Sequence, residues 1–216
     1  MQNYSSMVIR DEAVLTTSYV AGNIIGRIKD NDSAQQQSLE RKNQLVLYID
    51  FTIGSLTSAE VKIEFAPVLY YDLAYDGQTA NFTAGATVKG STSGAEGRIQ
   101  RDADGGATGT LIISPNNAIP FIDNEEITDS ESGAAVVNGG LNTLSAAPSD
   151  YSWFQETNSS ISATISTENL LVRQFSGDGL YRIAIPLKDK YVKISAKGTG
   201  TVTNSLMRII AALGTV

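Results

Sequence analysis

The sequence predicts an all-β protein built around a jelly-roll-like β-sandwich. Short runs rich in Val, Ile, Thr and Tyr recur along the 216 residues, and clusters of Gly, Asn, Asp and Ser separate them. No stretch of ten or more positions shows the apolar 3.6-residue periodicity of a helix. Roughly eight strand-like runs lie outside a distinct middle segment. An all-β chain with that many strands forms a core by packing one sheet face to face against another.

The first clear scaffold strands alternate between apolar and polar positions. In one run Leu45, Leu47, Ile49 and Phe51 alternate with Val46, Tyr48 and Asp50. In the next, Val61 and Ile63 alternate with Lys62 and Glu64. This period of two is typical of half-buried strands, so we expect Lys62 and Glu64 on a solvated face.

Three more scaffold strands are predicted near the end of the chain. They cover residues 180–187, 191–197 and 206–213. A Gly177-Asp178-Gly179 turn precedes the first of them, and the segment 198–201 forms the turn before the last.

Residues 1–42 have two open interpretations. An apolar stretch at 14–28 is followed by polar residues that include a run of three Gln at 35–37. The segment could be an extended arm that adds a strand to a neighbouring subunit. It could equally be the first strand of the sandwich followed by a loop.

An internal repeat of 39 residues marks the middle of the chain, between about residues 68 and 147. The matched pairs are Phe82/Phe121, Val88/Ile127, Ser91/Ser130, Ser93/Ser132, Gly94/Gly133 and Ala95/Ala134. Two copies are fewer than a solenoid needs, so the pattern favours a small closed barrel or sandwich of two related halves.

This repeat defines an inserted domain at 68–147, and the scaffold is the discontinuous pair 1–67 and 148–216. Insertion at the tip of a hairpin is well tolerated by a host fold. The insert holds ten acidic and three basic residues, whereas the scaffold holds 13 of each. The formal net charge of −7 therefore belongs to the insert.

Composition excludes several classes of function. The chain contains no Cys and no His, so it has no thiol nucleophile, no disulfide, no Cys/His zinc site and no Ser-His-Asp triad. A pI of about 4.6 argues against a general affinity for nucleic acid or an anionic membrane. The longest apolar run, 206–213, is too short to span a bilayer and contains Arg208. We expect a non-enzymatic protein, made in a cytoplasm, with no catalytic residues, no cofactor and no bound metal.

Two groups of acidic residues have a simpler interpretation than cation binding. Asp102 and Asp104, followed by two Gly, could begin a calcium loop, but its twelfth position is Ile113 where an acidic ligand is needed, so a hairpin turn is favoured. The second group is expected to be a solvated face rather than a cation site or a contact for a basic partner. Its members are Glu125, Glu126, Asp129 and Glu131.

Aromatic residues concentrate near the two ends of the insert and form the candidate contact site for a partner or a glycan. They are Tyr70, Tyr71, Tyr75, Tyr151, Trp153 and Phe154. Aromatic rings stack on sugars and anchor protein partners, although the same pattern also fits packing at a domain junction.

Several strings resemble small β-sandwich structural proteins of tailed bacteriophages. The scaffold strings are LVLYIDFTIGSLTSAEVKIEF, YSWFQETNS and YRIAIPLKDKYVKISAKGTGTVTNS. The insert, with Ser-Gly-Ala turns and the strand GATGTLIIS, resembles β-domains displayed on phage virions. The resemblance covers most of residues 43–216, carries no catalytic motif, and implies a virion component.

The resulting functional expectation is a capsid decoration or auxiliary protein on the head surface of the virion. Its expected partners are the major capsid protein or other virion subunits, together with further copies of itself as a homo-oligomer. Neither nucleic acid nor membrane is an expected partner. The alternatives are a neck or tail component, or a carbohydrate-binding module that recognises the host surface through the aromatic residues.

Overall fold

The protein divides into two compact units. A computed structural model describes residues 5–26, 44–154, 172–187 and 189–214. The sandwich comprises Met1–Pro67 and Trp153–Val216, and the barrel comprises Val68–Ser152. The barrel begins where the sequence places the insert and ends at residue 152 instead of 147.

The described residues form fourteen strands and one short 3₁₀ turn at Asp150–Ser152. The strands are β1 (Ser5–Ala13), β2 (Val20–Ala21), β3 (Gln44–Thr52), β4 (Leu56–Ala66), β5 (Tyr71–Ala80), β6 (Thr87–Gly90), β7 (Glu96–Asp104), β8 (Gly109–Pro115), β9 (Glu126–Asp129), β10 (Ala134–Val137), β11 (Val172–Phe175), β12 (Gly179–Pro186), β13 (Tyr191–Gly200) and β14 (Leu206–Gly214). The predicted all-β class is confirmed.

The sandwich has jelly-roll connectivity. Sheet I has the strand order β1-β14-β3-β12, and sheet II has the order β11-β4-β13-β2. The eight strands pair antiparallel from the outside inward: β1 with β14, β2 with β13, β3 with β12 and β4 with β11. Such nested pairing, folded over into two facing sheets, is the jelly-roll arrangement that the sequence predicts.

The core of the sandwich lies between the two sheets. On β3 the side chains of Leu45, Leu47, Ile49 and Phe51 are buried while Tyr48 and Asp50 are exposed, as the alternation predicts. The wet position expected for Val46 is wrong: Val46 is 1% exposed and lies in the middle of the sheet, opposite Ala184 of β12 and Ala212 of β14. Phe175 of β11 packs against Phe51 with ring centroids 6.3 Å apart and against Tyr181 of β12 at 4.6 Å. These rings fill the side of the core where the chain passes from sheet II to sheet I.

The solvated position expected for Glu64 is wrong. Its carboxylate is buried between Lys62, 3.1 Å away on the same strand, and Lys193, 3.2 Å away on β13. Two ammonium groups supply the opposite charge that a buried carboxylate requires.

Residues 5–25 belong to the sandwich itself, so the extended-arm interpretation is wrong for this part of the chain. β1 pairs with β14, and β2 and Ile25 both pair with β13. The Asn23 N–H donates to Ile9 C=O at 2.7 Å, which ties this segment to the edge of sheet I. The interpretation as a first strand is therefore correct, and its predicted continuation at 27–42 lies outside the described residues.

The barrel is closed, and its six strands follow the order β10-β5-β8-β7-β6-β9. The first repeat supplies β5, β6 and β7, and the second supplies β8, β9 and β10. The first strand of each copy pairs with the third strand of the other: β5 with β10 and β8 with β7. The outer strands of each copy are therefore paired by strands of the other copy. This pairing explains why two copies are enough to form a closed barrel.

A local twofold relation joins the two copies. Where β6 pairs with β9, Lys89 lies opposite Thr128, its own equivalent 39 residues later. The Ser91 N–H donates to Glu126 C=O at 2.9 Å, and the equivalent Ser130 N–H donates to Thr87 C=O at 3.0 Å. The two-copy barrel predicted from the repeat is confirmed.

Gly109 leaves the space that the Tyr75 side chain occupies inside this barrel. It lies opposite Tyr75 in the β5–β8 ladder, and a Cβ at position 109 would overlap the Tyr75 hydroxyl and ring. We predict that Gly109→Ala destabilises the barrel by about 1–3 kcal/mol, because the Tyr75 ring must move. Urea unfolding followed by fluorescence measures the change.

Gly177→Ala is the matched control for this substitution. A Cβ at position 177 meets no atom within 4 Å. We expect this variant to be neutral or slightly stabilising. Equal unfolding midpoints for the two variants would contradict the predicted overlap.

Candidate interaction surfaces

Two of the six candidate aromatic residues are not available to a partner. Tyr71 and Tyr75 lie in the interior of the barrel, where their exposed fractions are 6% and 1%. The Tyr75 ring meets Phe82 edge to face at 5.3 Å, and its hydroxyl donates to Asp102 Oδ1 at 2.8 Å. Packing, the alternative interpretation, is correct for these two residues.

Tyr70 and Tyr151 form a pair on the barrel unit. Their rings meet edge to face with centroids 5.7 Å apart, and Tyr151 is 48% exposed. The Ser152 hydroxyl accepts from Tyr70 N–H at 2.8 Å and donates to Tyr70 C=O at 3.2 Å. The 3₁₀ turn at Asp150–Ser152 thus holds one ring against the other.

Trp153 and Phe154 belong to the sandwich. Phe154 exchanges two backbone hydrogen bonds with Phe65 at the end of β4, and its side chain is 56% exposed. Lys193 Nζ lies 4.8 Å from the centroid of the half-buried Trp153 ring, so one face of this indole already has a cation over it. The predicted site is therefore divided between two units, with Tyr151 and Phe154 as its most exposed members.

Glu125 performs a structural task that the sequence did not indicate. The residue is 3% exposed, and its carboxylate accepts backbone N–H bonds from Ser93 at 2.9 Å, Thr92 at 3.2 Å and Ile122 at 2.7 Å. Burial alone raises the pKa of Glu125, but the donors from Ser93, Ile122 and Thr92 outweigh it and leave the pKa below its usual value. Gly90 makes room, because a Cβ there would lie 2.5 Å from the carboxylate.

Asp129 binds the backbone of the equivalent turn in the second copy, as Glu125 does for the turn of the first copy. Its Oδ1 accepts from the N–H groups of Glu131, Ser132 and Gly133 at 2.7–2.9 Å, and its Oδ2 accepts from Thr83 N–H at 2.8 Å. Thr83 and Ile122 are equivalent positions of the repeat, so each is held by one of the two carboxylates. Burial opposes ionisation here too, but the N–H donors lower the pKa of Asp129 overall.

The predicted solvated face is therefore wrong for Glu125, which is buried, and incomplete for Asp129, which is half-buried and bound to backbone. Only Glu126 and Glu131 of that group are exposed.

The Asp102 and Asp104 segment is a hairpin, in which Gly105 N–H donates to Thr108 C=O at 2.9 Å. Burial raises the pKa of Asp102. Over the described part of the chain, no three acidic side chains converge as metal ligands would.

The outer surface of sheet II is a charged layer that is satisfied internally. Tyr19 OH donates to Glu60 Oε2 at 2.6 Å, and Lys197 lies 3.2 Å from the same oxygen. The Tyr19 hydroxyl, followed by Lys197, lowers the pKa of Glu60 despite its partial burial. Lys62 and Lys197 also lie over the Tyr19 ring, at 4.8 Å and 4.6 Å from its centroid. Together with Glu64 and Lys193, these groups neutralise one another and leave little unpaired charge.

The outer surface of sheet I has a different character. Apolar side chains that face away from the core include Val8, Tyr48, Leu180 and Ile210, and Leu180 is 83% exposed. The charged residues exposed on the same face are Asp50, Arg182 and Arg208. β12 forms one edge of this sheet. Sequence patterns did not identify this surface, because alternation tells which residues face outward but not which strand lies at an edge.

Comparison with known proteins gives no match to any family model, curated protein or solved structure. Within the described residues, no helix has the length and apolarity needed to cross a membrane.

We predict that Glu125→Gln removes part of the acid sensitivity of the barrel. Because the folded-state pKa lies below the unfolded value near 4.5, ionised Glu125 stabilises the barrel above that pH and loses this contribution as the pH falls through the folded pKa. The Gln variant should lose about 1–3 kcal/mol at pH 7, since buried N–H donors lose a charged acceptor. Its stability should then change less between pH 5 and pH 3 than that of the wild type, as measured by urea unfolding at each pH.

Glu126→Gln serves as the control, because this neighbour is exposed. It should retain the stability and the acid sensitivity of the wild type. If the unfolding free energy of Glu125→Gln depended on pH as that of the wild type does, protonation of Glu125 would not be coupled to unfolding and the prediction would be wrong.

Proposed function

We propose that this chain is a non-enzymatic structural subunit of a tailed-phage virion, a capsid decoration or auxiliary protein that binds the head surface through its sandwich. The observation that carries the proposal is the division of charge between the two units. The barrel at 68–152 holds eleven acidic and three basic residues, a balance of −8, and the rest of the chain holds twelve and thirteen, a balance of +1.

A nearly neutral sandwich suits repeated packing against other subunits. Many copies can lie side by side on a particle without accumulating like charge. Jelly rolls occur among viral capsid proteins and lectins, so the fold is compatible with the proposal by analogy alone. The resemblance of the scaffold strings to phage virion proteins points in the same direction.

The acidic barrel suits a solvent-facing role. Glu125 is buried and Asp129 is half-buried against the backbone of the barrel, whereas six other carboxylates are exposed. Those six are Asp72, Asp104, Asp123, Glu126, Glu131 and Asp150. Exposed charge of a single sign keeps neighbouring copies apart and the particle surface soluble.

Localisation in the particle tests the proposal directly. Cryo-electron microscopy of the phage that encodes the chain should find it in many symmetric copies on the head, in contact with the major capsid protein. Density only at the neck or tail would replace decoration with the alternative structural role. Absence of the chain from purified particles would refute both.

We further predict that the sandwich retains particle binding without the barrel. Phe65 and Phe154 exchange backbone hydrogen bonds of 3.1 Å and 2.8 Å, so β4 resumes its pairing directly after the insert. Replacing residues 68–152 with Gly-Gly leaves a loop of five residues between them, a length that hairpins use. The shortened chain should fold, as shown by a cooperative thermal transition, and should sediment with particles.

The isolated barrel, residues 68–152, is the control for this deletion. It should fold and remain in the supernatant. Sedimentation of the barrel together with failure of the folded sandwich to bind would reverse the roles assigned to the two units.

A further inference from the structure

β12 has the features of an edge strand available for pairing. It pairs with β3 over eight consecutive residues, from Gly179 opposite Phe51 to Pro186 opposite Gln44, without a register shift. Among the strands that the structure describes, β3 is its only neighbour. Its other side therefore presents backbone donors and acceptors that can accept a further strand.

The other sheet edges carry features that block such pairing. β1 has two register shifts, and its Val8 and Ile9 carbonyls already accept hydrogen bonds from Asn23. β11 has four residues and β2 has two. β12 combines length and regularity, with Arg182 as its only charge and a proline only at its last residue.

The side chains of β12 are largely apolar on both faces. Leu180, Arg182 and Ala184 are exposed and face away from the core, and Leu180 has an exposed fraction of 83%. Tyr181 and Ile183 pack against the core but are only partly buried. An added strand would bury apolar surface on each face as well as backbone.

We propose that the occupant of this edge is a second copy of the same strand. Two β12 strands would pair antiparallel about a twofold axis and join two copies of sheet I into one continuous sheet of eight strands. A twofold contact is self-complementary, so one free edge satisfies the other. The balance of +1 over the sequence outside the barrel adds little repulsion.

The alternation of β12 limits the register of this pairing. Residues directly opposite each other must lie on the same face of the sheet, so one residue lies opposite its own copy and the twofold axis passes between the two. An axis at Arg182 would place two guanidinium groups opposite each other, which is unfavourable. An axis at Ile183 instead places Arg182 opposite Ala184 of the other copy and brings residues 180–186 into register, with Pro186 at each end contributing only its carbonyl.

This register makes opposite predictions for two substitutions at one exposed position. Ala184→Glu creates two attractive contacts with Arg182 across the dimer, and Ala184→Arg creates two repulsive ones. From cross-strand pair energies we expect dissociation constants that differ by about tenfold at low ionic strength, with Glu the tighter variant. Analytical ultracentrifugation of the full-length variants measures both, and added salt should reduce the difference.

A charge exchange provides the rescue variant. Arg182→Glu combined with Ala184→Arg restores an attractive contact in the proposed register, so this double variant should dimerise more tightly than Ala184→Arg alone. Because paired edge strands bury a small area, the wild-type dimer should dissociate on dilution. Hydrogen exchange of the β12 amides should slow as protein concentration rises, and this measurement does not depend on any substitution.

Three results would overturn the inference. The first is that the wild type and Ala184→Glu both remain monomeric and that hydrogen exchange at β12 does not depend on protein concentration. The second is that Glu and Arg at position 184 weaken dimerisation equally. The third is that the double variant dimerises no more tightly than Ala184→Arg. The inference rests on the proposed structural role and gives a specific interface to the homo-oligomer that the sequence analysis expects. It is tested on purified protein without particles, so a monomer would refute this interface and leave particle binding to be judged by cryo-electron microscopy.

Discussion

The sandwich depends on burying one face of each of two four-stranded sheets against the other. Each early strand pairs with a late one, from β1 with β14 inward to β4 with β11. Residues such as Ile49 and Ile63 must therefore face inward at the same time as partners more than a hundred positions later, such as Ile194 and Ile209. In this nested order the connection from β4 to β11 lies between the two strands of the innermost pair. An insertion there lengthens the loop between these paired strands and interrupts no other strand.

The barrel occupies that connection at low cost because its own ends are tied together. Ser149 N–H donates to Tyr70 C=O at 2.8 Å, and the Ser152 hydroxyl bonds both backbone groups of Tyr70. A folded insert with adjacent ends behaves as a short loop. The entropy of closing the host ladder therefore rises little, although 85 residues from Val68 to Ser152 separate its two sides.

Sequence patterns predicted most of the fold and less of the chemistry. Alternation identified β3, β12, β13 and β14, and the 39-residue repeat identified the barrel, because both signals are local or recur at a fixed spacing. Glu125 was misassigned because its donors at Thr92 and Ser93 are brought to it by strand pairing and have no mark in the sequence. Glu64 was misassigned for the same reason, since Lys193 reaches it only through the β4–β13 ladder. Charged residues in an alternating pattern indicate a face, but their partners decide whether that face is wet.

The two outer faces of the sandwich differ in what they leave unsatisfied, and this difference supports the proposed assembly role. On sheet II the carboxylates of Glu60 and Glu64 are matched by lysines, and Tyr19 and Trp153 lie beneath those lysines. Few polar groups there remain for a partner. On sheet I apolar side chains such as Leu180 lie on or beside an edge strand that pairs with β3 without a register shift and whose second set of backbone groups faces away from β3. A partner at sheet I gains both backbone hydrogen bonds and apolar burial, whereas a partner at sheet II must first break existing ion pairs. Pairing along β12, as proposed, would therefore add backbone hydrogen bonds and leave the sheet II network intact.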